Sequence, residues 1–156
     1  MSIVLFLPDI RSVFNVASLF RTADGAGVER IILGGYTPGP LDRFGRPRKD
    51  FAKVSLGAEA GVSWERAEQC VERLQALRAE GYTCVVLEQD ERSIKYCDFR
   101  AMGDVVLVVG NEVEGVSAEV RDIADIIISI PMSGKKESLN VEVAAAIALF
   151  SLRDSQ

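Results

Sequence analysis

Ile128-Ser-Ile-Pro-Met-Ser-Gly-Lys-Lys-Glu-Ser-Leu-Asn-Val-Glu-Val-Ala-Ala-Ala-Ile-Ala-Leu-Phe150 reads as strand, loop, helix. Its two ends are almost wholly apolar, which predicts burial of both elements. The polar residues gather in the loop: Ser133, Lys135, Lys136, Glu137, Ser138 and Asn140. Asn140 is placed to cap the helix, with Glu142 in its first turn, and the helix N-terminus then offers free backbone N–H groups beside the loop. On this stretch alone, an ordinary capping loop and a ligand site explain the pattern equally well.

Composition narrows the choice. A chain of 156 residues, 48% hydrophobic and 26% charged, is expected to form one domain, 1–156, with a substantial core. The apolar run Met1 to Leu7 is too short for a membrane span and lacks the flanks of a signal peptide, so a cytoplasmic protein without membrane contact is expected. Cys70, Cys84 and Cys97 are odd in number and widely spaced, and there is no histidine. Neither a disulfide framework nor a metal site is supported, and histidine-based catalysis is excluded. A net charge of −5 means that a polyanionic ligand would need a local basic patch.

Outward from the opening stretch, apolar runs at Ser2–Leu7, Glu29–Leu33, Thr83–Leu87, Asp104–Val109 and Asp125–Ile130 read as buried strands of a parallel sheet. Helical spacing appears over Ser12 to Gly25, with Ser12 as cap and Asn15, Ser18, Arg21 and Thr22 as a polar stripe. A second helix is expected from a Ser63 cap, with Ala67, Cys70, Val71, Leu74 and Leu77 as its apolar face, and a short one after Ser117. Tyr36 to Lys53 reads as a long loop holding Arg43, Arg46, Arg48, Lys49 and Lys53 among Tyr36, Phe44 and Phe51, suited to phosphates and stacked bases; a solvated loop is the plain alternative. The architecture is therefore a single α/β domain, whose ligands sit beyond the carboxyl ends of strands. At those ends lie Leu87-Glu88, Gly110-Asn111-Glu112 and Pro131-Met132-Ser133. Neither Gly-x-Gly-x-x-Gly after the first strand nor a P-loop is present, which leaves a nucleoside-type ligand without a polyphosphate.

Three segments carry a family resemblance: Asn15-Val-Ala-Ser-Leu-Phe-Arg-Thr-Ala23 running on to Gly27, Val108-Val-Gly-Asn-Glu-Val-Glu-Gly115, and Ile130-Pro-Met132 followed by Ser138-Leu-Asn-Val-Glu-Val-Ala-Ala-Ala146. In this order they resemble the three motifs of the SpoU/TrmH branch of the SPOUT RNA methyltransferases. Each is weak alone; three in register are specific, and the likeness covers nearly the whole chain, as a catalytic domain with no appended RNA-binding domain.

The resemblance implies a parallel-sheet SPOUT-like α/β fold with a deep C-terminal trefoil knot, which the usual rule of unknotted chains would have excluded. It implies S-adenosylmethionine-dependent 2′-O-ribose methylation of tRNA or rRNA by a homodimer, with the helix from Val141 to Leu152 near the interface. The family's catalytic arginine falls on Arg21, its partner asparagine on Asn15, the second-motif glutamate on Glu112, and the third-motif serine and asparagine on Ser138 and Asn140. The cofactor would be held around Leu87, Glu88, Val109, Gly110, Asn111, Ile130, Met132, Ser138 and Leu139. Glu142 departs from the family pattern, where relatives often have a small hydroxyl residue, and puts substrate fit and local charge in question. A non-catalytic RNA-binding or assembly module retaining the fold is the main rival. A binding protein for another nucleoside is a third reading.

Overall fold

The computed structural model describes residues 1–154. The chain runs β1 (Ile3–Pro8), α1 (Val13–Gly25), β2 (Arg30–Gly34), α2 (Lys49–Ser55), α3 (Ala58–Gly61), β3 (Ser63–Ala67), α4 (Cys70–Ala79), β4 (Thr83–Leu87), β5 (Ile94–Lys95), a 3₁₀ turn (Tyr96–Asp98), β6 (Val105–Val109), α5 (Ala118–Ile123), β7 (Ile126–Ser129) and α6 (Val141–Asp154). The strands form one parallel sheet in the order β3-β2-β1-β6-β4-β7-β5.

The period-2 geometry of the strands divides their apolar residues between two layers. Leu5, Leu7, Ile31, Leu33, Val85, Leu107 and Ile128 pack with α1, α2 and α6 through Val16, Phe20, Phe51, Ala145 and Leu149. Val4, Phe6, Ile32, Val86, Val106, Val108 and Ile127 face α4 and α5 through Leu74, Leu77 and Val120. Continuous apolar runs are what a sheet covered on both faces requires. Burial raises the Cys84 thiol to about 12, and it also raises the half-buried Cys70, so neither is poised to ionise near neutral pH.

Several boundaries differ from the sequence reading. Ser63 does not cap a helix: Ser63–Ala67 pairs with β2 as an edge strand, and α4 starts only at Cys70. The alternation was masked by charge, because an edge strand tolerates Glu65, which accepts from Arg73 at 2.9 Å and pairs with Arg30 at 3.5 Å. The basic segment is not loop to Lys53, since Lys49 and Lys53 lie on α2. The polar connection after β4 contains β5 and the 3₁₀ turn. Nor is α6 wholly buried: Ala145, Ala148, Leu149 and Leu152 face the core, while Val143 and Phe150 remain 42% and 47% exposed.

Candidate functional site

Because β6, β4 and β7 are neighbours in the sheet, their carboxyl ends bring Val109, Leu87 and Ser129 side by side. The loops that follow them enclose a cavity of about 700 Å³. All nine residues expected to hold a cofactor line it, from Leu87 and Glu88 to Ser138 and Leu139. Four of the five expected catalytic residues line it too: Asn15, Glu112, Ser138 and Asn140.

The loop after β6 is built to one shape. Asn111 and Gly115 exchange backbone hydrogen bonds at 3.1 and 3.0 Å, and the Asn111 Oδ1 accepts from the N–H groups of Val113 and Glu114. Gly115 takes a left-handed conformation, φ +70°, and a side chain there would run into Glu88. A Cβ on Gly110 would stand 2.7 Å from both the Gly115 carbonyl carbon and the Val116 nitrogen. Glu88 ties the loop to β4 by accepting from Val116 N–H at 2.8 Å.

The loop from Pro131 to Leu139 is the opposite case. Among the described residues, none of its backbone N–H or C=O groups hydrogen-bonds to the protein. At its root, Gln89 Nε2 donates to the Ile130 carbonyl at 2.8 Å, a contact that sequence reasoning missed because a polar residue after a strand carries no distinguishing pattern. At its end, the Asn140 Oδ1 accepts from Glu142 N–H at 2.9 Å, the expected cap.

One polar chain joins the segments. Glu112 accepts from the backbone N–H of Arg11 at 3.0 Å and of Ser12 at 3.1 Å, and from Asn15 Nδ2 at 3.2 Å. Asn15, only 7% exposed, in turn accepts from Asn140 Nδ2 at 3.2 Å. Burial pushes the Glu112 carboxyl upward, but hydrogen bonds from Arg11, its own backbone, Ser12 and Asn15 outweigh it and leave the group below the usual range. Thr22 Oγ1 donates to Glu142 at 2.7 Å and fixes α1 to α6 about two turns further along α1. Glu142, whose departure from the family pattern put substrate fit and local charge in question, thus makes a structural tie between the helices.

Arg21 is not among the cavity-lining residues. It lies on α1 one turn beyond Ser18, exposed, and makes no hydrogen bond or ion pair among the described residues. The basic residues form a separate region. Leu41 and Pro47 bridge to close a turn in which Arg46 pairs with Asp42 at 2.9 Å, and just beyond it, at the start of α2, Arg48 pairs with Asp50 at 2.8 Å. Arg43 and Arg46 both stack on Phe44, at 4.7 and 4.9 Å from its ring centre. Two of the five expected RNA-contacting charges are therefore neutralised locally, while Arg43, Lys49 and Lys53 have no carboxylate partner among the described residues.

A parallel α/β sheet with a nucleoside-sized cavity at adjacent strand ends, crossed by a Glu-Asn-Asn relay, defines a narrow class of protein. The chain matches the model of the SpoU rRNA Methylase family over residues 2–150 and belongs to that family. It is 31% identical to the tRNA (guanosine(18)-2'-O)-methyltransferase of Aquifex aeolicus, over 95% of this chain and 67% of that one. It is 32% identical to the 23S rRNA (guanosine-2'-O-)-methyltransferase RlmB of Ralstonia nicotianae, over 95% and 57%. The crystal structure of an AdoMet-bound rRNA methyltransferase from Sinorhizobium meliloti superimposes with a TM-score of 0.89 at 28% identity, covering 98% of this chain and 56% of that one. The chain thus spans about three fifths of the length of several curated relatives that it matches.

Proposed function

We propose that the chain transfers a methyl group from S-adenosylmethionine to a ribose 2′-hydroxyl of tRNA or rRNA. The observation that carries this reading is the junction of all three motif segments at one cavity, with Glu112, Asn15 and Asn140 hydrogen-bonded in series and Arg21, further along α1, without a partner among the described residues.

The cavity suits such a cofactor. Its volume is within the range of small-molecule sites, and Leu87, Val109, Ile130, Met132 and Leu139 give it apolar walls for a purine. The unbonded backbone of 131–139 offers donors and acceptors for an amino group and ribose hydroxyls. When bound, S-adenosylmethionine supplies an electrophilic methyl on a good leaving group. The chain must then hold the 2′-oxygen in line and ease the loss of its proton. Arg21 is assigned to orient the hydroxyl and an adjacent phosphate and to stabilise developing negative charge, since a guanidinium stays protonated in proteins. Glu112 and Asn15 hold the start of α1, the helix that carries Arg21, at the cofactor cavity.

Two further elements belong to this reading. The connection from β4 reaches the sheet edge at β5 and returns to β6, and α6 packs on its 3₁₀ turn as well as on α1, β4 and β6. This supports a C-terminal segment threaded through that connection as a trefoil knot. Pulling the chain from both ends should leave a contour shorter than its full extension; full extension would exclude the knot. Phe14, 64% exposed on α1, with Val143 and Phe150 on α6, supplies apolar surface for a homodimer. Light scattering showing a monomer at micromolar concentration would contradict that assembly.

Incubation with total RNA and methyl-labelled S-adenosylmethionine, followed by digestion to nucleosides, tests the activity. The label is expected in a 2′-O-methylnucleoside. Label confined to base positions, or absent from RNA while the protein binds the cofactor, would overturn the assignment.

A further inference from the structure

Tyr36 stands just past β2 with 61% of its surface exposed, yet both its ends are tied down. Its backbone N–H donates to the Asp9 carboxylate at 3.2 Å, and its phenol oxygen accepts from Asn111 Nδ2 at 3.0 Å. The same Asn111 Nδ2 donates to the Asp9 carbonyl at 2.6 Å, closing a three-cornered clamp of Asp9, Tyr36 and Asn111. The clamp depends on two left-handed residues. Asp9 has φ +51°, an unfavourable conformation for a residue with a side chain, and Gly35 has φ +57°, where a Cβ would collide with the Asp9 carboxylate. The next residue, Thr37, is buried and anchored to β1, its hydroxyl donating to the Leu7 carbonyl at 2.6 Å and accepting from Ile10 N–H at 2.9 Å. Exposed tyrosines are common; one fixed at backbone and hydroxyl, on a strained scaffold, is not explained by packing, because its ring faces leave so much surface uncovered.

The surroundings indicate what the ring meets. Asn111 is followed directly by Glu112 of the acceptor-side relay, so the clamp shares a loop with the candidate site. Tyr36 also opens the basic segment, where Phe44, 65% exposed, carries Arg43 and Arg46 stacked on it. Exposed aromatic rings interleaved with cations suit a single-stranded nucleic acid, whose bases stack while its phosphates pair. A ring already held in place loses little conformational freedom when a base lands on it.

We propose that Tyr36 is a stacking platform for an unpaired base of the RNA, positioned by the Asp9–Asn111 clamp beside the acceptor site. The inference deepens the RNA reading above and rests on it. Stacking uses the ring and not the hydroxyl, which separates this role from scaffolding.

The test compares Tyr36→Ala and Tyr36→Phe with the unaltered chain in labelled methyl transfer to total RNA. Tyr36→Ala is expected to raise the apparent KM for RNA about ten-fold or more, with kcat within about two-fold and cofactor affinity unchanged. Tyr36→Phe should restore KM to within about three-fold. Unchanged KM in Tyr36→Ala, or a Phe variant as impaired as the Ala variant, would overturn the proposal. A second readout does not need turnover. Trp64 is the chain's single tryptophan, so Tyr36→Trp in a Trp64→Phe background reports on the platform alone. Its emission should be quenched by a mixed-sequence single-stranded RNA and not by the same RNA annealed to its complement. No quenching, or equal quenching by both, would exclude stacking even where methyl transfer is intact. Quenching without any methyl transfer would retain the platform and remove the enzymatic reading.

Discussion

The two loops that face each other across the cavity use their backbones in opposite ways. In residues 110–116 the N–H groups of Asn111, Val113, Glu114, Gly115 and Val116 are all taken up, by Asn111, Gly115 and the Glu88 carboxylate. Among the described residues, the backbone of 131–139 has no such partner, although both flanks are fixed, by Gln89 at Ile130 and by Asn140 at the start of α6. Backbone polar groups seek partners, and an exposed loop finds them in water or in a ligand. On the proposed function the loops have distinct tasks: the first is a preformed wall, and the second is a surface that the cofactor would complete.

Substitutions can break this comparison at graded cost. The largest effect is expected at Arg21, which belongs to neither loop. Arg21→Ala should lower methyl transfer on the order of 10²-fold or more while leaving calorimetric S-adenosylmethionine affinity unchanged. Unchanged turnover would remove Arg21 from the acceptor side.

Next comes the preformed wall itself. Gly110→Ala forces a Cβ to 2.7 Å from the backbone of Gly115 and Val116, which cannot yield as a flexible side chain could. A loss of about 1–3 kcal/mol of stability is expected, with weakened cofactor binding. Gly134→Ala, in the opposite loop, meets nothing within 4 Å and should be neutral in both respects. Equal effects of the two in thermal melts and calorimetry would erase the distinction between the loops.

How much of this was legible beforehand follows from where the information lies. Strand positions and the two-layer core were readable because buried parallel strands are continuous apolar runs. The Ser12, Ser117 and Asn140 caps were readable from residue type and spacing, and each bonds as expected. The edge strand at Ser63–Ala67 was not, because Glu65 and Arg66 there resemble an exposed helix turn. The cavity residues were reached through the family motifs; local patterning left a capping loop equally plausible. The Asp9–Tyr36–Asn111 clamp could not be read at all, since it joins residues 27, 75 and 102 positions apart in sequence.

The structure also changes which charges should matter for RNA. With Arg46 and Arg48 held by Asp42 and Asp50, Arg43 and Lys49 are the better candidates for phosphate contact. Replacing both by Ala should reduce the slope of log K against log[salt] by roughly 1.4, at about 0.7 per single-stranded phosphate. The Arg46, Arg48 double variant should change it less, and Arg73 with Arg78, paired to Glu65, Glu80 and Asp125, should change it least. Identical slopes for all three would mean that only net charge is sensed.

The smallest expected effect concerns Glu112. Its folded-state pKa lies below the ordinary 4.5, so its contribution to stability is present above that value and is lost as pH falls through the lower folded value. Glu112→Gln should therefore shallow the acid limb of the stability profile and leave the profile near neutrality parallel to that of the unaltered chain. An unchanged acid limb would contradict the hydrogen-bonded carboxylate.

Amide hydrogen exchange, with and without S-adenosylmethionine, tests the central contrast most directly. The amides of Val113, Glu114, Gly115 and Val116 should be protected in the free protein and change little on addition of cofactor, whereas those of 132–139 should exchange rapidly when free and become protected when it binds. Protection that appears in 110–116 instead, or in neither loop at saturating cofactor, would contradict the assignment of this cavity as the methyl-donor site.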